Sequence, residues 1–354
     1  MVRNNTDFIY LLRFIAALMV VLKHYSIIRN PLINNGGAAV NFFFLLSGFI
    51  LVLAYEKQIV QRGLSVTEFY VKRIARVYPL YLLALVLCIA YLYFDPSLYS
   101  NLGKKLPFEF LMIQSWLYPG SINYPAWSVS CELFFYMLFP LYIVKLNNFR
   151  LSRSIFWALV GLVVAVLITY ILGNISISFL RPDLKDGYLD QHPFIRFPVF
   201  FLGNILGLVY IKNVKIPNPL LICMFLAGCG LLLLWTKNPI EIGMNFKQLG
   251  LLLLYTCLLF SLLQNESLTK KWGNPYFILL GDISYGLYLL QNPIYLFVTR
   301  YTVSISPMVQ FYIYLLILLL ASYLSYKFFE KPLRLKIVSL YKASFQSKGL
   351  GYSK

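Results

Sequence analysis

Ten stretches of about 20 mostly apolar residues run through this 354-residue chain, each long enough for a helix to cross the hydrocarbon core of a bilayer. They fall near 8–28, 38–55, 75–94, 126–144, 155–172, 194–211, 219–236, 247–264, 277–298 and 308–329. In lipid every backbone polar group must be satisfied within the segment, so such runs predict helices. The expected fold is an all-α integral membrane protein of about ten transmembrane helices. The shorter stretch 106–118 predicts a re-entrant or interfacial helix. Arg13 in mid-run, and the lack of a small-residue cleavage site, argue that the first run is a retained span and not a signal peptide. The chain is 60% hydrophobic and only 12% charged, so much of its apolar surface has to face lipid.

The remaining charge is strongly basic, with a formal net charge of +18. No nucleic-acid-binding motif accompanies it, so cationic loops on the cytoplasmic face account for it and no nucleic-acid partner is expected. With the N-terminus placed in the cytoplasm, twenty of the 31 Lys and Arg residues fall on the inner side. Eight fall on the outer side, and Arg13, Lys23 and Arg196 lie within spans. The positive-inside bias therefore puts both termini in the cytoplasm. A single membrane domain over 1–336, followed by a short basic cytoplasmic tail over 337–354, is the simplest organisation, since the tail is too short to fold alone. The five cysteines (Cys88, Cys131, Cys223, Cys229 and Cys257) sit in apolar runs without metal-ligand spacing, which predicts neither a zinc site nor a structural disulfide.

Ionisable residues within spans are costly and therefore informative. Arg13 and His24 are eleven positions apart on the first span, which places them on one helix face about 16 Å apart along the axis. Asn41, near the start of the second span, and Glu132, near the start of the fourth, are expected at the depth of His24. A histidine beside a carboxylate is the usual arrangement of a general base, because the carboxylate orients the ring and stabilises its protonated form. Pairing of Glu132 with an arginine is the alternative. Arg73 and Arg76, three apart, share a face at the start of the third span. They are either positive-inside anchors or a phosphate clamp, for which the guanidinium fork is suited. His192, the other histidine, reads as a surface loop residue, and GNILG (203–207) as a small-residue packing motif.

These elements, in order, resemble the membrane-bound acyltransferase-3 family over nearly the whole chain. Arg13 and His24 resemble its Arg-x10-His motif, and NFFFLLSGFIL (41–51) its FF-x-LSGF element. FYVKRIARVYPLY (69–81) is similar to its Arg-x-x-Arg-x-Tyr-Pro element, and WSVSCELFFYMLFP (127–140) to its Trp-Ser-x-x-x-Glu element. GDISYGLYLLQNP (281–293) and FEKPLR (329–334) resemble its last two segments. The resemblance implies a ten-helix fold and an acyl-CoA donor, commonly acetyl-CoA, that acts as co-substrate and not as a permanently bound cofactor. It also implies a surface glycan or lipid-linked glycan acceptor and a place in the cell (inner) membrane in contact with its lipids. In this reading His24, Glu132 and Asn41 are the catalytic candidates, and Arg13, Arg73 and Arg76 hold the CoA. Two positions depart from the family pattern: Asn41, where many members are acidic, and Gln291, where many have histidine. Homo-oligomer formation stays open. The competing class is a flippase or transporter of a lipid-linked glycan, which would be expected to show alternating-access repeats that the sequence lacks.

Overall fold

The structure is a computed structural model. It describes residues 6–347 except 28–32, 34–35, 62, 64, 93, 96, 98–101, 119, 175–181, 238–244, 266–268 and 270–273. Of the cations that set the expected orientation, Arg3, Arg29, Arg62, Arg181, Lys270, Lys271, Lys348 and Lys354 lie outside these described residues.

The described elements are helical: α1 (Phe8–Tyr25), α2 (Ala39–Ala54), α3 (Glu56–Val60), α4 (Val66–Tyr91), α5 (Leu102–Phe110), α6 (Trp127–Asn148) and α7 (Leu151–Asn174). They continue as α8 (Pro182–Gln191), α9 (Pro193–Ile211), α10 (Asn218–Lys237), α11 (Phe246–Gln264), α12 (Pro275–Tyr301), α13 (Pro307–Ser325) and α14 (Lys331–Ser347). Each of the ten apolar runs falls on a helix. Eight segments among the described residues are long and apolar enough to cross a membrane. The apolar part of α10 covers only Asn218–Leu234. At 27 residues α12 is long enough, but Asp282, Gln291, Asn292 and Arg300 dilute it. The stretch expected to be re-entrant is the short helix α5 followed by a 3-10 turn at Gln114–Trp116.

Local chemistry fixes the helix starts. Ser65 caps α4 by accepting from the Glu68 N–H at 3.4 Å, and Glu68 pairs with Lys72 at 2.5 Å one turn on. This cap starts α4 nine residues before the apolar run, so Arg73 and Arg76 lie on regular helix. Asn274 caps α12 ahead of Pro275, a residue whose fixed φ suits a first helical position. His192 is not a bare surface residue. Its Nδ1 accepts from the Phe194 N–H at 3.3 Å to cap α9, and its ring packs edge-on against Trp116.

Close packing joins α2 to α9 and α1 to α12. The GNILG motif lies at the first contact. A methyl at Gly203 would collide with the Leu45 carbonyl oxygen, and one at Gly48 with that of Phe200. Only glycine lets the two backbones approach this closely, as in small-residue membrane packing. Helix α7 leans on α9 from outside and exposes Phe156, Trp157, Leu159 and Val163, the apolar surface that lipid would cover. After α13 a single π-helical segment, Tyr326–Glu330, leads into α14, which packs on α4. The expected boundary between 336 and 337 falls inside α14.

Candidate active site

Two cavities lie one beyond the other along α1. The first, of about 430 Å³, is lined by Arg13 from α1, Ser47 from α2, Arg73 and Arg76 from α4, Ser128, Glu132 and Tyr136 from α6, and Tyr285 and Tyr288 from α12. Glu132 accepts from the Tyr136 hydroxyl at 3.1 Å, and that hydroxyl lies 3.3 Å from Ser47 Oγ. The Tyr285 hydroxyl donates to the Val77 carbonyl at 2.9 Å and ties α12 to α4 beside Arg76. The Arg73 guanidinium lies 5.5 Å from the Tyr55 ring centre, a cation–π distance, while its buried Nε has no hydrogen-bond partner. Among the described lining residues three arginines face one carboxylate, so the cavity is net cationic and suited to phosphate. Arg76 also borders a small recess with Asp282, Tyr326, Glu330, Lys331 and Arg334. The FEKPLR segment thereby comes to the edge of the arginine cavity. Tyr326 anchors it by donating to Asp282 at 2.6 Å.

The second cavity, of about 270 Å³, is lined by Lys23 and His24 from α1, Asn41 from α2, Tyr124, Pro125 and Trp127, Asp190 and Gln191 from α8, Arg196 from α9, and Lys247 and Gln248 from α11. The His24 ring meets the Tyr124 ring edge-on at 4.9 Å. Asn41 is 4% exposed; its amide donates to Gln248 at 2.6 Å, and its carbonyl oxygen accepts from Arg196 at 3.2 Å. Arg196 is locked in turn by the Asp190 carboxylate at 3.2 Å and the Asp190 carbonyl at 2.7 Å. Where an acidic residue would have faced Arg196 as a second anion beside Asp190, the neutral amide bridges Arg196 to Gln248.

His24 and Asn41 thus line one cavity, and Arg13, Arg73 and Arg76 line the other. The expected pairing of Glu132 with His24 is not formed: Glu132 lines the arginine cavity, within electrostatic reach of Arg13, Arg73 and Arg76. Helix α6 starts at Trp127, which faces the histidine cavity. Glu132 is five residues deeper, about 7.5 Å further along the axis. Its face is shared with Ser128 one turn earlier and turned to the arginines.

Gln291 lines neither cavity. It is buried behind Tyr288, where its amide donates to the Tyr288 carbonyl at 2.6 Å. Sequence reasoning missed Asp190, Gln248, Ser128 and Tyr288. Arg196 carried a visible signal, a cation within an apolar run. The others are ordinary residue types whose role comes only from what they meet.

The family profile described as an acyltransferase domain matches residues 6–327. Among curated relatives, an acyltransferase (MdmB) of Streptomyces mycarofaciens is 36% identical over 140 residues, 37% of this chain and 34% of that protein. An O-acetyltransferase (OatA) of Staphylococcus aureus is 25% identical over 92% of this chain and 56% of its own length. The chain therefore spans about half the length, or less, of these two relatives. No solved structure matches the chain. With the profile covering nearly all of the described helices, the chain belongs to the acyltransferase-3 family of multi-pass membrane proteins.

Proposed function

We propose that this protein transfers an acyl group, acetyl first among them, from cytoplasmic acyl-CoA to a hydroxyl of a cell-surface polysaccharide or glycolipid. The observation that carries this reading is the pair of back-to-back cavities, one holding three arginines and one holding His24. Arg13, Arg73 and Arg76 bind the CoA phosphates, for which forked guanidinium donors are suited. Glu132 balances and spaces these arginines. The thioester reaches towards His24, which takes the proton of the acceptor hydroxyl as general base. Asn41, held between Gln248 and Arg196, helps shape the acceptor cavity.

The orientation in this reading is supported by the positions of the arginines. Arg13 comes from the first half of α1, and Arg73 and Arg76 from the first half of α4, the ends that the cationic loops assign to the cytoplasm. In this reading the histidine cavity faces outward, the termini are cytoplasmic, and the protein resides in the inner (plasma) membrane. The acetyl group and the oxygen acceptor are supported by the similarity to an O-acetyltransferase.

Purified protein in liposomes, given acetyl-CoA and glycan from cells lacking the protein, should acetylate the glycan, as read by mass spectrometry. His24→Gln keeps the size and hydrogen bonding of the side chain but cannot accept the proton at neutral pH, so transfer should fall about 10²–10⁴-fold. Near-normal transfer by His24→Gln would remove the base. Movement of a lipid-linked glycan across the bilayer with its mass unaltered would replace acyl transfer with flipping.

A further inference from the structure

We propose that Tyr288 is the partition between the donor and acceptor cavities, and that by standing in the passage it restricts the transferred group to short acyl chains and keeps acceptor-side water off the thioester. The inference rests on the acyl-transfer reading above.

Among the described residues, Val40 and Tyr288 line both cavities. Tyr288 is 7% exposed, and its hydroxyl is held from both sides. It donates to the Pro125 carbonyl at 3.1 Å and lies 2.9 Å from Ser128 Oγ, which can donate to it. Pro125 belongs to the histidine cavity and Ser128 to the arginine cavity, so one hydroxyl joins the two walls. Phe43 supports the ring edge-on at 5.7 Å. The backbone is pinned at the same level. Gln291 donates to the Tyr288 carbonyl at 2.6 Å, and Asn123 donates to the Leu289 carbonyl at 2.9 Å. A ring fixed at its hydroxyl, face and backbone is a built wall, since a buried and satisfied polar group is costly to move.

The chemistry has to occur across this wall. The acyl carbon starts on the CoA sulfur, on the arginine side, and ends on an acceptor oxygen, on the His24 side. The C–O bond forms and the C–S bond breaks; the hydroxyl proton passes to His24, the departing CoA thiolate takes one proton from solvent on its own side and leaves as the thiol, and the His24 imidazolium returns one proton to solvent on the acceptor side. An acetyl group needs only a narrow opening between Val40 and the Tyr288 ring, whereas each added methylene must be housed against them. Tyr288 forms no covalent bond in this sequence and acts as a specificity residue.

The test compares the wild-type protein with Tyr288→Phe, Tyr288→Ala and Val40→Ala, using acetyl-CoA and butanoyl-CoA with and without acceptor. Both transfer and free CoA release are measured. Tyr288→Ala should raise the butanoyl-to-acetyl ratio about 10–100-fold, the discrimination a packed wall exerts on added methylenes. It should also raise acceptor-free CoA release several-fold. Tyr288→Phe keeps the ring but loses both hydroxyl contacts, so it should raise CoA release with little change in the chain-length ratio. Val40→Ala widens the same passage from α2 and should shift the ratio in the same direction, which decides the matter if Tyr288→Ala does not fold. Unchanged ratios and unchanged CoA release in a protein that transfers acetyl would overturn the partition alone. A wild-type protein that consumes no acyl-CoA would overturn the acyl-transfer reading, and this inference with it.

Discussion

Glu109 and Glu132 both lie among apolar helices, yet their surroundings differ in kind. Glu109, at the end of α5, is fully buried, and its carboxylate accepts from Tyr81 at 3.0 Å, Tyr118 at 3.2 Å and the Ile122 N–H at 2.8 Å. Gln114 extends the network from Tyr81 at 3.2 Å to the Ala126 carbonyl at 3.3 Å. These bonds hold the chain that delivers Tyr124 and Pro125 to the histidine cavity. Glu132 accepts from Tyr136 and otherwise looks into open volume towards three arginines. A satisfied network in low dielectric rigidifies what it joins. A cation-rich wall around open space retains binding capacity for an anionic ligand. The first carboxylate positions the site, and the second belongs to it.

That contrast can be broken most forcefully at the arginines. Replacing Arg73 and Arg76 together by Gln should lower kcat/KM for acyl-CoA about 10²–10⁴-fold, from about 1.5–3 kcal/mol for each charge-assisted bond. The unfolding temperature in detergent should move little. A large drop in that temperature with donor binding intact would make the arginine cluster structural, like the Glu109 network. The converse substitution is Glu109→Ala, which leaves the Ile122 N–H without its acceptor, while the Tyr81 and Tyr118 hydroxyls keep the Glu109 and Lys105 carbonyls at 2.7 and 3.3 Å. At about 1–3 kcal/mol for the unsatisfied N–H and about 2–5 kcal/mol for the cavity left behind, it should lower the unfolding temperature markedly. Donor KM, measured on the protein that remains folded, should stay within about twofold. If KM rose in parallel with the loss of stability, the two regions would not be separable.

Glu132→Gln sharpens the comparison further. It removes the anion from the cationic cavity, so CoA should bind a few-fold tighter, with steeper salt dependence, on the order of 1 kcal/mol of relieved repulsion. Isothermal titration with CoA reads this directly. An unchanged CoA affinity with a large fall in kcat would restore Glu132 as the partner of His24.

Helices at the ten apolar runs were legible because apolar runs of bilayer length have few other outcomes, although eight segments among the described residues are long and apolar enough to cross a membrane. The inward position of Arg13 and His24, each lining a cavity along α1, was legible because both lie on one helix, where the 3.6-residue period fixes direction as well as height. The spacing of Gly203 and Gly207 marked a close helix contact, but that α2 is the partner came only with the structure. Glu132 stayed open between His24 and an arginine because a depth estimate gives height and not azimuth. Which way one helix faces another depends on packing angles set by all the helices together. The Glu109 network was hidden for a related reason. Its donors come from Tyr81, Tyr118 and Ile122, at separations with no local period to reveal them. Tyr288 was visible only as one aromatic in an apolar run, and its place between two cavities is a property of four helices and a loop.

Glu109 also carries the smallest of these effects, a dependence of stability on pH. Burial pushes its carboxyl up from the ordinary glutamate value of 4.5, against the opposing pull of the Ile122 N–H, the Tyr81 and Tyr118 hydroxyls and nearby Lys105. The folded protein therefore holds this proton more tightly than the unfolded chain does. The resulting stabilisation is fully present below the ordinary glutamate range and is lost as pH rises from there through the folded value. Detergent-solubilised wild-type protein should accordingly show an unfolding temperature that declines with pH over that window. In Glu109→Gln, which has no proton to release, the decline from this group should disappear and the profile should flatten. The difference between the two profiles isolates Glu109 from every other titrating residue. A profile that keeps the same slope in Glu109→Gln would mean that the hydrogen bonds to the carboxylate offset its burial and leave its hold on the proton as it is in the unfolded chain.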